Sequence, residues 1–191
     1  MLLLIVGLIV FLGIHSLAIV SPGARLTLIE RLGLWPYKAI YSLIALIGLV
    51  LIIYGWGQAR LDPVVLYQPP GWLTHVNNLL MLIVFPLLLA AYLPGRIQRA
   101  FRHPMLVAVK TWALAHLLVN GELAALLLFG TFLAWAVADR ISLKRRAPQD
   151  LLQLPAWKFN DLIAIVAGLA IHVVFVLWLH PLWIGVPAVP H

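Results

Sequence analysis

The run Leu2–Val20 contains no charged side chain, and similar apolar runs recur at 37–56, 72–93, 122–138 and 160–179. At about 1.5 Å per residue, a helix of roughly 20 apolar residues spans the ~30 Å hydrocarbon core of a bilayer. This repetition restricts the possible folds more than any other feature. With 64% of residues hydrophobic and 10% charged, a soluble domain has too little polar surface to cover the rest. The fold class is therefore all-α, a polytopic membrane helical bundle, read as a single domain over 1–191 because no loop is long enough to hold a second one. The lipid bilayer is its first partner.

A sixth run, Met105–Val119, is short. It rises about 22 Å, so it either tilts into a thinned region or is re-entrant. The loop charges favour six transmembrane helices. With six, every basic residue except Arg60 falls in or beside the first, third and fifth connectors. The positive-inside rule then puts those connectors in the cytoplasm and both termini on the outer side. A re-entrant sixth run would move the Lys144-Arg145-Arg146 cluster to the other side, against that rule. Basic residues follow the first run and none precede it, the reverse of a signal peptide, so this run is expected to be an uncleaved span. The net charge of +7 belongs to loops facing anionic headgroups, and no nucleic-acid partner is expected.

The connector 21–36 breaks the chain at Ser21-Pro22-Gly23. Gln58–Gly71 reads as a loop, Leu93-Pro94-Gly95 as a stop, and Asn160 or Asp161 as the N-cap of the last span. His180-Pro181 is expected to end that span.

The chain has no cysteine, which excludes disulfides, thiolate-held zinc, iron–sulfur clusters and covalent haem attachment. Any metal falls to His, Asp, Glu or Asn. Polar groups cluster in Arg102–Gly130, which opens on Arg102-His103-Pro104 and carries Lys110, Trp112, His116, Asn120 and Glu122. A charged side chain at the centre of a membrane helix costs roughly 2.5–3.5 kcal/mol by insertion scales, so such groups tend to be functional. On one continuous helix Trp112, His116 and Asn120 would share a face. Trp112 could then pack on a planar ligand and Asn120 hydrogen-bond it. His103, ahead of a helix start, could position an anionic group there.

Three histidines are expected inside the membrane: His15, His116 and His172. Without cysteine, they point to a metal or haem before a hydrolase. Axial ligation of haem by two histidines needs compatible depth. His116 and His172 match best, each about twelve residues from the inner end, whereas His15 differs from His116 by about 10 Å in straight upright helices. The inner arginines and lysines could pair with haem propionates. His75 and His180 read as interfacial histidines, and Asp139-Arg140 as a structural span end.

His15-Ser16, Arg102-His103-Pro104, and Ala115-His116-Leu117-Leu118-Val119-Asn120-Gly121-Glu122 followed by Leu128-Phe129-Gly130 resemble the NnrU family. The likeness covers nearly the whole chain. That family includes bacterial proteins named for an association with nitric-oxide and nitrite reduction genes (denitrification). It also includes the plant ζ-carotene isomerase, a haem b membrane enzyme that turns a central cis double bond to trans. The resemblance implies a bacterial inner-membrane protein with haem b held by His15 and His116 as iron ligands, leaving His172 as the alternative ligand. Arg102, His103, Trp112 and Asn120 complete the expected cofactor-binding set.

The resemblance further implies redox or cis–trans isomerase chemistry on an apolar, isoprenoid-like substrate. The non-enzymatic alternative is a haem-bearing sensor or assembly factor. Ala113 stands where the isomerase branch carries a cysteine, so no thiolate can exchange with the histidine in this chain. The Arg-His-Pro element also resembles membrane methyltransferases that bind S-adenosylmethionine. Those enzymes show Tyr and Gly after the proline and an acidic pair after the next span. Here Met105-Leu106-Val107 and Asp139-Arg140 stand instead.

Overall fold

The computed structural model describes residues 1–145 and 154–188. Arg146 and Pro148 of the fifth connector and the terminal His191 lie outside the described residues. The described chain is helical, and its one strand-like feature among those residues is a bridge between Val65 and Glu122. Five helices are long and apolar enough to cross a membrane: Leu2–Val20, Leu34–Ala59, Leu73–Ala90, Leu123–Ser142 and Asn160–Ile184. The sixth apolar helix, Pro104–Val119, is shorter.

Burial runs inside out relative to a soluble protein. Ala90, Ala108, Ala113, Ala115, Ala125, Ala136 and Ala164 are essentially covered, while Leu43, Ile53, Val166 and Val173 are exposed. Lipid tails are as apolar as leucine, so helices in a bilayer associate through close backbone contact. Small residues therefore occupy the seams and large ones meet lipid.

The chain forms two compact units that interleave in sequence. The first comprises residues 1–68 and 120–148. In it α1 (Leu2–Val20) lies along α3 (Leu34–Ala59) and also packs on α8 (Leu123–Ser142). Gly7, Gly48 and Gly55 line the α1–α3 seam. A Cβ on Gly7 would stand 2.6 Å from the Ile52 nitrogen, and one on Gly48 would stand 2.7 Å from the Phe11 nitrogen. The connector 21–36 holds a further helix, α2 (Pro22–Leu32). Its start follows from Pro22, and from Ser21, whose hydroxyl accepts the Ala24 N–H at 3.3 Å. The 58–71 segment is a loop as expected. The Gly121 carbonyl accepts the Leu66 and Tyr67 N–H groups, which ties that loop to the start of α8.

The second unit comprises 69–119 and 149–191. The expected span 72–93 is two helices, α4 (Leu73–Met81) and α5 (Val84–Ala90), with the break at Leu82-Ile83. Pro86 explains the break: it has no N–H for the Leu82 carbonyl, and its ring crowds that turn. A short helix, α6 (Arg96–Phe101), precedes α7 (Pro104–Val119). α5 packs on both α7 and α9 (Asn160–Val174), and α4 packs on α7. Gly168 of α9 faces Pro86, so a Cβ there would lie 2.5 Å from the proline nitrogen.

The last span does not end at His180-Pro181. It passes through a π-helical segment, Phe175–Leu179, into α10 (His180–Ile184). Pro181 cannot donate to the preceding turn, and the widened π turn takes up that lack without ending the helix.

Neither Asn160 nor Asp161 is the N-cap of α9. Phe159 is the boundary residue there, and it makes no side-chain cap. Asn160, 3% exposed, donates instead to the carbonyls of Pro94 (2.9 Å) and Pro155 (3.1 Å). Asp161 accepts the N–H groups of Arg96 and Ile97. Both side chains thus serve the neighbouring loop, whose backbone groups would otherwise go unpaired.

Candidate functional site

His15 stands on α1 among rings from three helices of the first unit. Its Nδ1 lies 2.6 Å from the Phe11 carbonyl oxygen, one turn back. A carbonyl can only accept, so Nδ1 carries the proton in this bond and Nε2 is left as the outward ring nitrogen. The Phe11 ring stacks on the imidazole at 4.3 Å, Tyr41 of α3 meets it edge-on at 5.3 Å, and Trp135 of α8 stands perpendicular at 6.0 Å. The Trp135 Nε1–H is buried with no hydrogen-bond partner. The resulting box surrounds the imidazole with flat apolar surfaces and one unmet donor. One turn further along α1 and α8 lies a cavity of about 400 Å³, lined by Ile19, Pro22, Ala138, Ile141, Ser142 and Arg145.

His116 repeats the same device on α7 in the second unit. Its Nδ1 lies 2.9 Å from the Trp112 carbonyl oxygen, which again leaves Nε2 as the outward ring nitrogen. The Trp112 ring packs at 5.5 Å and rests on the core of Val84, Leu87 and Ala108. The i, i+4 pairing of Trp112 and His116 is therefore present. Asn120 does not join it. α7 ends at Val119, and Asn120 lies beyond it, its carbonyl accepting the Tyr67 hydroxyl at 3.2 Å. The Asn-Gly turn takes the backbone off the helical path before a third member can share the face.

His172 is buried on α9, 9% exposed, with the Phe85 ring at 6.2 Å and its Nδ1 without a hydrogen-bond partner. His180 points its Nδ1–H at the Val186 carbonyl (2.8 Å) and meets the Phe175 ring at 5.9 Å. It also lies within electrostatic range of His116, a proximity that its reading as an interfacial residue did not anticipate. His75 is exposed at the start of α4.

Arg102 adopts φ 58°, the only positive φ outside glycine among the described residues. That left-handed residue turns the chain from α6 into α7 and sets His103 just ahead of Pro104. The His103 carbonyl takes the Leu106 and Val107 N–H groups. Among the described residues, no group of three or more His, Asp or Glu is placed to hold a metal ion.

Tyr41 and Trp135 carry no signal in the sequence that would single them out. Aromatic residues near the ends of apolar runs are ordinary membrane-interface residues, and only the packing of α1, α3 and α8 brings these two onto His15.

A family model described as NnrU protein matches residues 3–188. No curated protein and no solved structure matches the chain.

Proposed function

The chain belongs to the NnrU family, and from that premise we propose that it is a six-span bacterial inner-membrane protein, both termini outside, that binds one haem b. His15 and His116 would hold its iron, and the haem would supply redox or cis–trans isomerase chemistry toward an apolar, isoprenoid-like molecule. One observation carries this reading. Both imidazoles have Nδ1–H tied to the carbonyl one turn back in their own helix, at 2.6 and 2.9 Å, so both leave Nε2 as the outward ring nitrogen. Metal-bound histidines typically donate their other ring N–H in this way, which fixes the tautomer and ring orientation and raises ligand basicity.

When bound, the haem would supply an iron centre able to exchange one electron with a polyene or to bind nitric oxide. The chain's own residues do the rest. Phe11, Tyr41 and Trp135 hold the His15 ring in place. Trp112 does the same on one side of His116. Arg145, at the end of the apolar cavity beside α1 and α8, offers a cation to a carboxylate such as a propionate. Ala113 leaves imidazole as the only side-chain ligand type offered by that turn of α7.

The test is the absorption spectrum of detergent-purified protein, oxidised and then reduced. The expected result is a Soret band with sharp reduced α and β bands, lost in both His15→Ala and His116→Ala while the helical content is kept. A colourless wild type after expression with added haem, or wild-type haem content in both variants, overturns the assignment. Turnover of a cis-polyene separates an enzyme from a haem-bearing sensor; binding of nitric oxide would not, since either could bind it.

A further inference from the structure

We propose that the second unit binds a phosphate-bearing anion, the headgroup of an anionic phospholipid or phosphate from solution, in the cavity between Pro94–Arg99 and Ala156–Asp161. The cavity measures about 360 Å³, and Arg96, Arg99 and Lys158 line it together with Trp157.

Among the described residues, Asp161 is the only carboxylate lining the cavity, and its charge already acts on Arg99 and Arg96. Its two oxygens accept the backbone N–H groups of Arg96 (2.8 Å) and Ile97 (3.0 Å). Among the described residues, no carboxylate oxygen comes within 4.0 Å of Arg96, Arg99 or Lys158. Three cations face one carboxylate across the cavity, with Lys158 also lying over the Phe159 ring at 4.9 Å, so the lining keeps a net positive charge that an anion offsets. The same bonds from Asp161 occupy the first N–H groups of α6, so the anion is held by side chains and not by a helix end.

The walls are fixed. Asn160 bridges the Pro94 and Pro155 carbonyls, and the Leu154 N–H donates to the Tyr92 carbonyl at 2.9 Å. Gly95 sits so close to the Asp161 carboxylate that any side chain there would strike it. The backbone beneath the cavity is thus held in place, and the ordering that filling requires falls on the exposed Arg96, Arg99 and Lys158 side chains.

Its place suits a headgroup. The apolar helix begins at Asn160, so the cavity stands where that helix meets the membrane surface. Trp157 is 57% exposed there and packs edge-on against Phe159 at 4.9 Å, as interfacial aromatics do. A planar guanidinium can give a phosphate two parallel hydrogen bonds, which zwitterionic choline lipids meet with a competing ammonium.

The experiment uses the full chain in phosphatidylcholine nanodiscs, with and without phosphatidic acid, read by thermal unfolding and by native mass spectrometry of retained lipid. Inorganic phosphate is titrated into the phosphatidylcholine discs. The expected result is retained phosphatidic acid, weakened about five-fold for each cation removed, as a surface charge of this kind predicts. Arg96→Gln, Arg99→Gln and Lys158→Gln should each show it, and Arg31→Gln on α2 should not. Arg99→Lys, which keeps the charge but not the paired guanidinium bonds, should bind between wild type and Arg99→Gln, a check independent of folding. Stabilisation by inorganic phosphate alone, lost in the same variants, would assign the site to a soluble phosphate. Equal loss in Arg31→Gln, or no response to either anion, overturns the proposal.

Discussion

Replacing Gly48 by alanine should open the α1–α3 seam and disturb His15 without touching it. The added Cβ would stand 2.7 Å from the Phe11 nitrogen and 2.9 Å from its Cα and Cβ, where ordinary contact begins at 3.4 Å. The obstacle is backbone, which cannot swing aside, so α1 must retreat locally by about half an ångström to one ångström in a close-packed interior. Overpacking of this kind costs about 1–3 kcal/mol, or roughly five- to more than a hundred-fold in the folding equilibrium.

Phe11 supplies both the ring stacked on His15 and the carbonyl that holds its Nδ1–H. Retreat of α1 therefore shifts the imidazole against Tyr41 and Trp135. The assay is thermal unfolding in detergent together with haem content per polypeptide. Gly57→Ala serves as the control: it lies on the same helix, with nothing within 4 Å of its would-be Cβ. Gly48→Ala should unfold at a lower temperature and carry less haem than Gly57→Ala. Indistinguishable unfolding of the two would refute the backbone-contact argument, whatever the haem result.

Other substitutions test the second unit. His172→Phe removes a buried ring nitrogen that has no partner, so stability should hold or rise by about 1 kcal/mol. Haem should stay; its loss in this variant would move the axial ligand from His15 or His116 to His172. Asp161→Ala removes two hydrogen bonds that resemble a helix cap and should lower stability by about 1 kcal/mol, measured by thermal unfolding beside Leu162→Ala on the lipid-facing side. An unchanged transition would mean that the Pro94–Ile97 turn holds without the carboxylate.

The apolar runs were legible because each helix in lipid must satisfy its own backbone, so length and composition mark it without reference to neighbours. His15 and His116 were legible for a related reason: a polar ring in such a run stands out locally. The Trp112–His116 pair could be read from spacing because both lie inside one unbroken helix. Asn120 could not, because the same spacing rule fails once the Asn-Gly turn ends α7 at Val119. Asn160 and Asp161 look like caps of their own helix in sequence, yet apart from Pro155 their partners lie some 65 residues earlier, at Pro94, Arg96 and Ile97. The stop read at His180-Pro181 failed because a widened turn carries the helix past a proline at lower cost than exposing its end to lipid.

By itself the sequence marked the stretches apolar enough to cross a membrane, the polar groups they carry, and the family to which the chain belongs. Tertiary structure decided what those groups touch. Gly7, Gly48 and Gly55 let α1 and α3 close to backbone contact, and that approach, with α8, brings Tyr41 and Trp135 onto His15. The tie between Asp161 and Arg96-Ile97 likewise gathers three cations around one cavity from segments far apart in the chain. The physical reason is the range of the interactions. Burial in lipid and helical hydrogen bonding act along the chain and leave a periodic trace, whereas ring contacts and charge clusters form across it and leave none.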